Sequence, residues 1–479
     1  MLRRTKIVAT LGPSTDDPKM LDSIIQAGVD VVRINFSHGN SEDHIRRVES
    51  VRNRARAHGR QVGVLVDLQG PKIRISRFRE GYVDLKEGQD FSLDIHCDDN
   101  DGDNQRVGLV YKELCQDVKR GDTLLLDDGR LIFWVHDVLQ GRIECRVVVG
   151  GKLSDSKGIN LQGGGLSADA LTAKDIVDIK IAAEIDADYM AISFPRTAED
   201  IMRARRLLAE HGCQCGIVAK IERAEALDNL EDIIRASDVV MIARGDLGVE
   251  IGDAKLPFVQ KRIIKTARTL NKVVITATQM MESMIENPIP TRAEVFDVAN
   301  AVLDGSDAVM LSGETAMGKN PDKAIISMDR ICREVEKDRS ISTSAHRLHE
   351  EFNRVDESIA MASMYTANHL GVKVIAALTE TGSTTLWMSR ISSGIPIYAM
   401  TRHLRTRRKV TLYRGVYPCS FDASCFSPEE INREAVDELL RRGAVREGDL
   451  MIITNGNMSG ELGGTDTMRI IRVGDSQVL

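Results

Sequence analysis

The chain has no run of about 18 apolar residues, so nothing in it reads as a transmembrane span. It also lacks a basic excess. Lys and Arg number 64 against 71 Asp and Glu, a net charge of −7, which argues against a general nucleic-acid binder. Its 8 cysteines are scattered over 479 residues, and only Cys213 and Cys215 stand close together. A single C-x-C with no second Cys or His pair is weak ground for zinc and favours reduced thiols. The opening MLRRTKIVATLG meets Gly12-Pro13 where a signal peptide would need an apolar core, so the expectation is a cytoplasmic protein. No internal repeat or low-complexity tract stands out. What is present is ordinary for a soluble globular protein, 42% hydrophobic and 28% charged, and the length suggests about three domains.

Eight β-rich runs, most ending in a polar cluster, organise the chain: 6–11, 31–36, 62–68, 189–194, 217–221, 239–243, 273–277 and 308–311. Helical patterns such as 43–58, 198–211 and 258–270 lie between them, and this alternation predicts one α/β TIM barrel built from residues 1–70 and 166–340. The spacing breaks once. Residues 71–165 carry short alternating runs (107–110, 123–126, 131–135, 142–149) punctuated by Gly and Asp, which predicts a small inserted β-barrel acting as a lid. Gly70-Pro71 on one side, and Gly163-Gly164-Gly165 before the expected N-cap Thr172 on the other, suit a hinge. Beyond a polar link, residues 350–479 read as a compact doubly wound C-terminal α/β domain. Its expected strands are 373–378, 397–401 and 449–454, with helices 356–370, 384–391 and 428–441 and an antiparallel final strand at 468–473.

Residues 217–250 concentrate charge at two strand ends: Lys220 and Glu222, then Arg244 and Asp246. In an α/β barrel such tips converge on one mouth. Two carboxylates beside a lysine make a divalent-metal and phosphate site, or equally, for any one residue, a surface ion-pair cluster. Arg33 and Arg74 can clamp an anion in fork geometry, or simply pair with barrel carboxylates. The turn Gly245-Asp246-Leu247-Gly248 opens a helix whose free N–H groups can hold a carboxylate. Thr276 and Thr278 place hydroxyls at the seventh strand, and an N-cap reading of Thr278 is as good as a catalytic one. The charge run 402–409, RHLRTRRK, reads as a solvated face. On these residues alone a metal-dependent aldolase or lyase, with Lys220 as Schiff base, competes with phosphoryl transfer, and a catalytically silent sensor is a third reading.

The stretches KIVATLGPST (from Lys6), VVRINFSHG (from Val31), VDLQGPKIR (from Val66), AKIER (from Ala219), ARGDLGVE (from Ala243), TATQMMESM (from Thr276), PTRAEVFDVANAVLDG (from Pro290) and LSGET (from Leu311) resemble pyruvate kinase. The resemblance runs over nearly the whole chain. It implies transfer of the phosphoryl group of phosphoenolpyruvate to ADP, giving pyruvate and ATP, with Mg2+ or Mn2+ as cofactor and a homotetramer as the assembly. On the matching positions it implies that Lys220 stabilises the migrating phosphoryl, Arg33 contacts it, and Glu222 and Asp246 hold the metal. The Gly245 and Asp246 amides with the Thr278 hydroxyl would hold the substrate carboxylate. Thr278, through water and Ser312, would protonate the enolate.

Two departures from the family pattern set further expectations. Asn35, Ser37, Asp67 and the Leu68 carbonyl match the family's potassium site, but the chain continues Leu68-Gln69-Gly70-Pro71-Lys72 where potassium-dependent members carry a glutamate at the last position. The Lys72 ammonium is expected to make potassium dispensable. The loop Leu378-Thr379-Glu380-Thr381-Gly382-Ser383-Thr384 matches the phosphate loop of fructose bisphosphate-regulated members, although composition alone also fits a capping loop. The later loop that grips their second phosphate reads Asn455-Gly456-Asn457-Met458-Ser459-Gly460-Glu461, without Arg, Lys or Trp. A sugar monophosphate effector, held by Thr379, Thr381, Gly382, Ser383 and Thr384, is therefore expected, with no nucleic-acid or membrane partner.

Overall fold

The computed structural model describes residues 2–71, 73–338, 341, 351–456 and 464–475. Eight strands close into one parallel barrel: Lys6–Leu11, Val31–Asn35, Gly63–Asp67, Tyr189–Ile192, Gly216–Ile221, Val239–Ala243, Val273–Ala277 and Ala308–Leu311. Each pairs with its neighbour in the barrel, and the first pairs with the last through Lys6 to Ala308. The seventh and sixth strands are buried at every residue, the pattern a parallel sheet wrapped by helices requires. The expected strands are all present. Their limits shift by one or two residues, mostly at the C-terminal ends, where the side chains that face the mouth leave the ladder.

Between the third and fourth barrel strands the chain builds a six-stranded sheet, in the order Ile159–Leu161, Thr123–Leu126, Leu131–Leu139, Arg142–Val149, Asp90–Asp94, Arg106–Gly108. A ribbon of Gly151–Ser154 and Tyr82–Leu85 stands beside it. Phe91, Phe133, Val107 and Ile143 share one core inside. Bridges from Arg74 to Gly158, Ile75 to Leu109 and Phe78 to Gly102 close the unit, in place of a continuous ladder. Both crossings into this insert pass through glycines with positive φ. Gly70 has φ +68°, and a Cβ there would meet the Ser193 Cβ at 2.9 Å. Gly163, Gly164 and Gly165 have φ +89°, +85° and +111°, a run only glycine tolerates. One buried carboxylate ties the two crossings: Asp175 accepts from the Gly70 amide (3.1 Å) and from the amide of Thr172 (2.8 Å), which caps helix Ala173–Glu184 as expected.

The C-terminal domain is a five-stranded sheet in the order Val416–Ser420, Ile397–Thr401, Val374–Leu378, Leu450–Asn455, Thr467–Arg472, parallel except for the last. Val416–Ser420 was not anticipated, because Pro418 sits within it. It is an edge strand, where a missing N–H breaks no ladder.

This domain packs against the floor of the barrel, and the apolar cluster is continuous from Val8, Leu65 and Tyr189 to Ile375, Ala399 and Leu412. The run 402–409 is a solvated face only in part: 402–404 are exposed, but Thr406 and Arg408 are buried. It forms the short helix Leu404–Lys409, from which Arg408 reaches Asp186 and, at 2.8 Å, Asp188, both following the helix Ala173–Glu184 of the barrel. Arg390 similarly pairs with Asp307, which also accepts from the Val274 amide (2.9 Å). Burial pushes the Asp188 carboxyl up to about 6 despite Arg408 and the Val64 amide. Arg408→Ala leaves that carboxylate buried and unpaired, an expected cost of about 3–5 kcal/mol. A carboxyl with a raised folded pKa binds its proton more tightly folded than unfolded, so the deficit should shrink as pH falls from about 7.5 to about 5.5. Denaturant unfolding of both proteins at the two pH values checks this; a deficit independent of pH would contradict it.

Candidate functional site

The barrel mouth gathers the charged tips that the sequence pointed to. Lys220 extends from the fifth strand and its Nζ lies 2.8 Å from Glu222 Oε1, 3.3 Å from Asp67 Oδ1 and 2.7 Å from Ser193 Oγ. Arg33, on the second strand, donates to Asp67 Oδ2 at 2.6 Å and to Thr10 Oγ1 at 3.1 Å. Asp67 and Glu222 are each only 1% exposed, so two cations and two carboxylates form one desolvated network across three strands. Ser193, which sequence reading passed over, is its hinge. It accepts from Lys220 and donates to the Leu68 carbonyl at 2.8 Å. The only signal for it was its place just past the fourth strand.

Burial and charge are unevenly matched here. Burial alone would lower the affinity of Lys220 for its proton, but Asp67 and Glu222 outweigh it and hold the ammonium firmly charged. Burial would likewise raise Asp67, yet Lys220 and Arg33 keep it ionised. Glu222 is different: burial, reinforced by Asp246, pushes its carboxyl up to about 7 against the pull of Lys220. Asp246 is also raised, first by burial and then by Asp128 of the insert. The mouth thus holds more negative charge near Glu222 and Asp246 than its own cations neutralise.

Asp246 sits in the helix Arg244–Ile251, which starts directly from the sixth strand. The Gly245 amide donates to Thr278 Oγ1 at 2.8 Å, bringing together two of the predicted carboxylate-binding groups. Thr278 and Gln279 have φ +64° and +53°, sparsely populated values for side-chain-bearing residues. Arg244 holds that backbone in place: its guanidinium donates to the Thr278 carbonyl at 2.7 Å and pairs with Asp297 at 2.6 Å. Thr276 does not reach the mouth. It is fully buried, with its hydroxyl 2.7 Å from Ser306 Oγ. Ser312 lies at the tip of the eighth strand, where its amide donates to Glu314 (2.7 Å); the same carboxylate takes the Met281 amide at 3.1 Å. Glu314 and Arg244 thus brace both sides of the Thr278 turn.

A cavity of about 290 Å³ separates mouth and insert, lined among others by Ser37, Gln69, Arg74, Asp128 and Asp246. Asp127 and Asp128, at φ +49° and +57°, bring insert carboxylates to this face, a contribution hidden in sequence inside an ordinary Asp-Asp-Gly turn. Asn35 Oδ1 accepts from the Ser37 amide at 3.1 Å beside Asp67. Lys72 lies outside the described residues. The insert's return crossing is fixed to the site helix, since the Gly163 amide donates to the Glu250 carbonyl at 3.0 Å.

The predicted loop in the C-terminal domain lies far from this mouth along the fold and lines its own cavity of about 90 Å³, with Thr379, Thr381, Ser383 and Thr384 on one wall and Arg402 on another. Gly382 has φ +82° and caps the helix Ser383–Arg390; its amide donates to Thr379 Oγ1 at 2.9 Å, and Thr384 Oγ1 lies 2.7 Å from Thr465 Oγ1. Of the later loop, residues 457–461 lie outside the described residues.

Family models described as "Pyruvate kinase, barrel domain" and "Pyruvate kinase, alpha/beta domain" match residues 2–325 and 357–471. The chain is 55% identical over 476 residues to a protein named pyruvate kinase II of Salmonella typhimurium, covering 98% of this chain and 99% of that one. It is 53% identical over 476 residues, with the same coverage, to a pyruvate kinase of Buchnera aphidicola. A crystal structure of a pyruvate kinase from Cryptosporidium parvum superposes with a TM-score of 0.91 at 32% identity, over 98% of this chain and 96% of that one. Barrel, insert, C-terminal sheet and charged mouth therefore have one common explanation: the chain belongs to the pyruvate kinase family of phosphotransferases.

Proposed function

We propose that the mouth transfers the phosphoryl group of phosphoenolpyruvate to ADP, within domains spanning 1–70 with 166–340, 71–165 and 350–479. The observation that carries this reading is the Lys220 ammonium, buried yet held charged between Asp67 and Glu222 at the strand tips. A transferring phosphoryl spreads negative charge over its oxygens, and a preorganised cation in a dry site stabilises that charge without reorganising. Arg33, oriented by Asp67 and Thr10, supplies a second cation to the same group, and Arg74 lines the cavity between mouth and insert. The Gly245 and Asp246 amides with Thr278 hold the substrate carboxylate. Thr278 then stands beside the enolate carbon, and with Ser312 directs the proton it must gain.

The donor set fits a magnesium or manganese ion. Glu222 and Asp246 are hard oxygen ligands whose carboxyls burial holds above their usual range, so a divalent cation there relieves an unmatched negative charge. Magnesium is commonly held by one or two carboxylates plus substrate oxygens and water, which is what Glu222 and Asp246 would offer. Glu222 and Asp246 would hold the ion, which would supply positive charge against the developing charge of the phosphoryl oxygens. The Schiff-base alternative for Lys220 is disfavoured by its raised proton affinity, since an amine nucleophile must be neutral.

Potassium is proposed to be dispensable, with Lys72 supplying its charge beside Asn35, Ser37, Asp67 and the Leu68 carbonyl. The loop 379–384 is proposed as the site of a sugar monophosphate, its single phosphate held by the threonine and serine hydroxyls with Arg402 opposite. The chain is further proposed to act as a cytoplasmic homotetramer. Phe258, Ile289 and Phe296 are at least 70% exposed on the barrel's outer face, which supports self-association.

Lys220→Met should keep the fold and lose on the order of hundredfold or more in turnover, with little change in the KM for phosphoenolpyruvate. Near-normal turnover of a folded variant would remove Lys220 from the mechanism. In a tetramethylammonium buffer with magnesium the wild-type rate should persist, and Lys72→Glu should create a requirement for potassium; abolition of wild-type activity without potassium or ammonium would refute the assignment. Saturation curves for phosphoenolpyruvate should sharpen more with glucose 6-phosphate or ribose 5-phosphate than with fructose bisphosphate. A Thr379→Ala, Ser383→Ala double variant should lose that response, and an unchanged response would overturn the effector site.

A further inference from the structure

Where the barrel floor meets the C-terminal domain, the described residues bury more positive charge than they pair. A small cavity of about 20 Å³ is lined there by Arg4, Arg268 and Asp307 from the barrel side and by Arg390, Arg414 and Ser392 from the other. Two of the guanidiniums are matched. Arg390 pairs with both Asp307 oxygens, and Arg4 lies 3.8 Å from Glu336, whose carboxylate also takes the Arg4 and Thr5 amides. The other two have no acidic partner among the described residues. Arg268 donates only to Ser392 Oγ at 3.3 Å, and Arg414 only to the Val302 and Ser306 carbonyls at 3.3 and 3.2 Å. Four guanidiniums thus face two carboxylates, both already engaged.

An unpaired guanidinium withdrawn from water costs several kcal/mol and cannot be relieved by deprotonation at neutral pH, because arginine keeps its proton. The strain is visible in its chemistry. Burial, followed by Arg390, lowers the proton affinity of Arg268 against the pull of Asp307, and burial lowers Arg414 to about 10 against the pull of Glu336 and Asp307, with Arg4 and Arg268 adding to the lowering. Arg4 Nε is buried without any hydrogen-bond partner. Either water alone fills the cavity and the excess charge stands, or an anion shares it. The size decides which anion: space for one water-sized occupant admits a halide and excludes a phosphate ester or a carboxylic acid metabolite.

We propose that this cavity binds a single chloride-sized inorganic anion, contacted by Arg268 and Arg414, which neutralises the seam between barrel and C-terminal domain. The site differs from the catalytic mouth and from the loop 379–384 in place and in ligand size. An anion seated there stabilises the docked arrangement of the two domains by its binding free energy.

The test uses the full-length protein in sodium chloride or bromide against sodium gluconate at equal ionic strength, since gluconate is too large for the cavity. Halide should raise the unfolding midpoint saturably by about 2 °C or more, and gluconate should not. Crystals grown in bromide should show an anomalous peak between Arg268 and Arg414. Arg268→Gln should lose the halide increment while its midpoint in gluconate stays unchanged or rises, because the variant removes an unpaired charge. Arg268→Lys, which keeps the charge, should retain part of the increment. Equal responses to the two salts, an increment that survives in Arg268→Gln, or a bromide-free cavity holding water or a protein carboxylate would each overturn the proposal.

Discussion

The interaction on which the site depends is the ammonium of Lys220 held between the buried carboxylates of Asp67 and Glu222. A buried lysine without partners would shed its proton, and buried carboxylates without partners would take one up. Placing them together keeps Lys220 and Asp67 charged and leaves Glu222 short of full compensation. That imbalance gives the mouth its chemistry: a fixed positive charge aimed at a phosphoryl, beside two carboxylates in need of a divalent cation. The barrel exists, in this sense, to bring side chains from separate strands to one point and keep solvent from separating them.

The remainder of the structure serves that geometry at increasing distance. Arg244 and Glu314 fix the backbone on either side of Thr278, so the strained turn does not relax away from the Gly245 amide. The insert is tethered rather than loose. Asp175 grips the crossing at Gly70, and the Gly163 amide is bonded to Glu250, one turn along the helix that carries Asp246. A movement of the insert therefore bears directly on that helix. On the opposite face, Arg408 and Arg390 pin the C-terminal domain to carboxylates that also cap barrel backbone, which gives the loop 379–384 a rigid route to the floor of the barrel.

Much of this was legible in sequence because parallel barrels write themselves plainly: apolar runs buried on both faces, most of them ending in a polar cluster, at a spacing broken only by the insert. Lys220, Glu222, Arg33 and Asp246 were visible as charges at strand tips, and the glycines of the insert's crossings as clusters with no other use. What stayed hidden depends on tertiary context. Ser193 and Glu314 are unremarkable residues until the barrel closes around them. Val416–Ser420 was masked by Pro418, which only an edge position excuses. The run 402–409 has the composition of a solvated face, yet Arg408 turns inward because Asp188 waits there, and Arg402 turns to the cavity of the loop 379–384. Charge alone does not say which side of a helix will meet a partner.

The central claim, that the mouth moves a phosphoryl group rather than cleaving or condensing carbon skeletons, is tested most directly by following phosphorus. Purified protein with phosphoenolpyruvate, ADP and magnesium, observed by phosphorus NMR, should lose the phosphoenolpyruvate signal and gain the ATP γ-phosphate signal in equal amounts as pyruvate appears. Release of inorganic phosphate in place of ATP, or no conversion at all by folded protein, would contradict it.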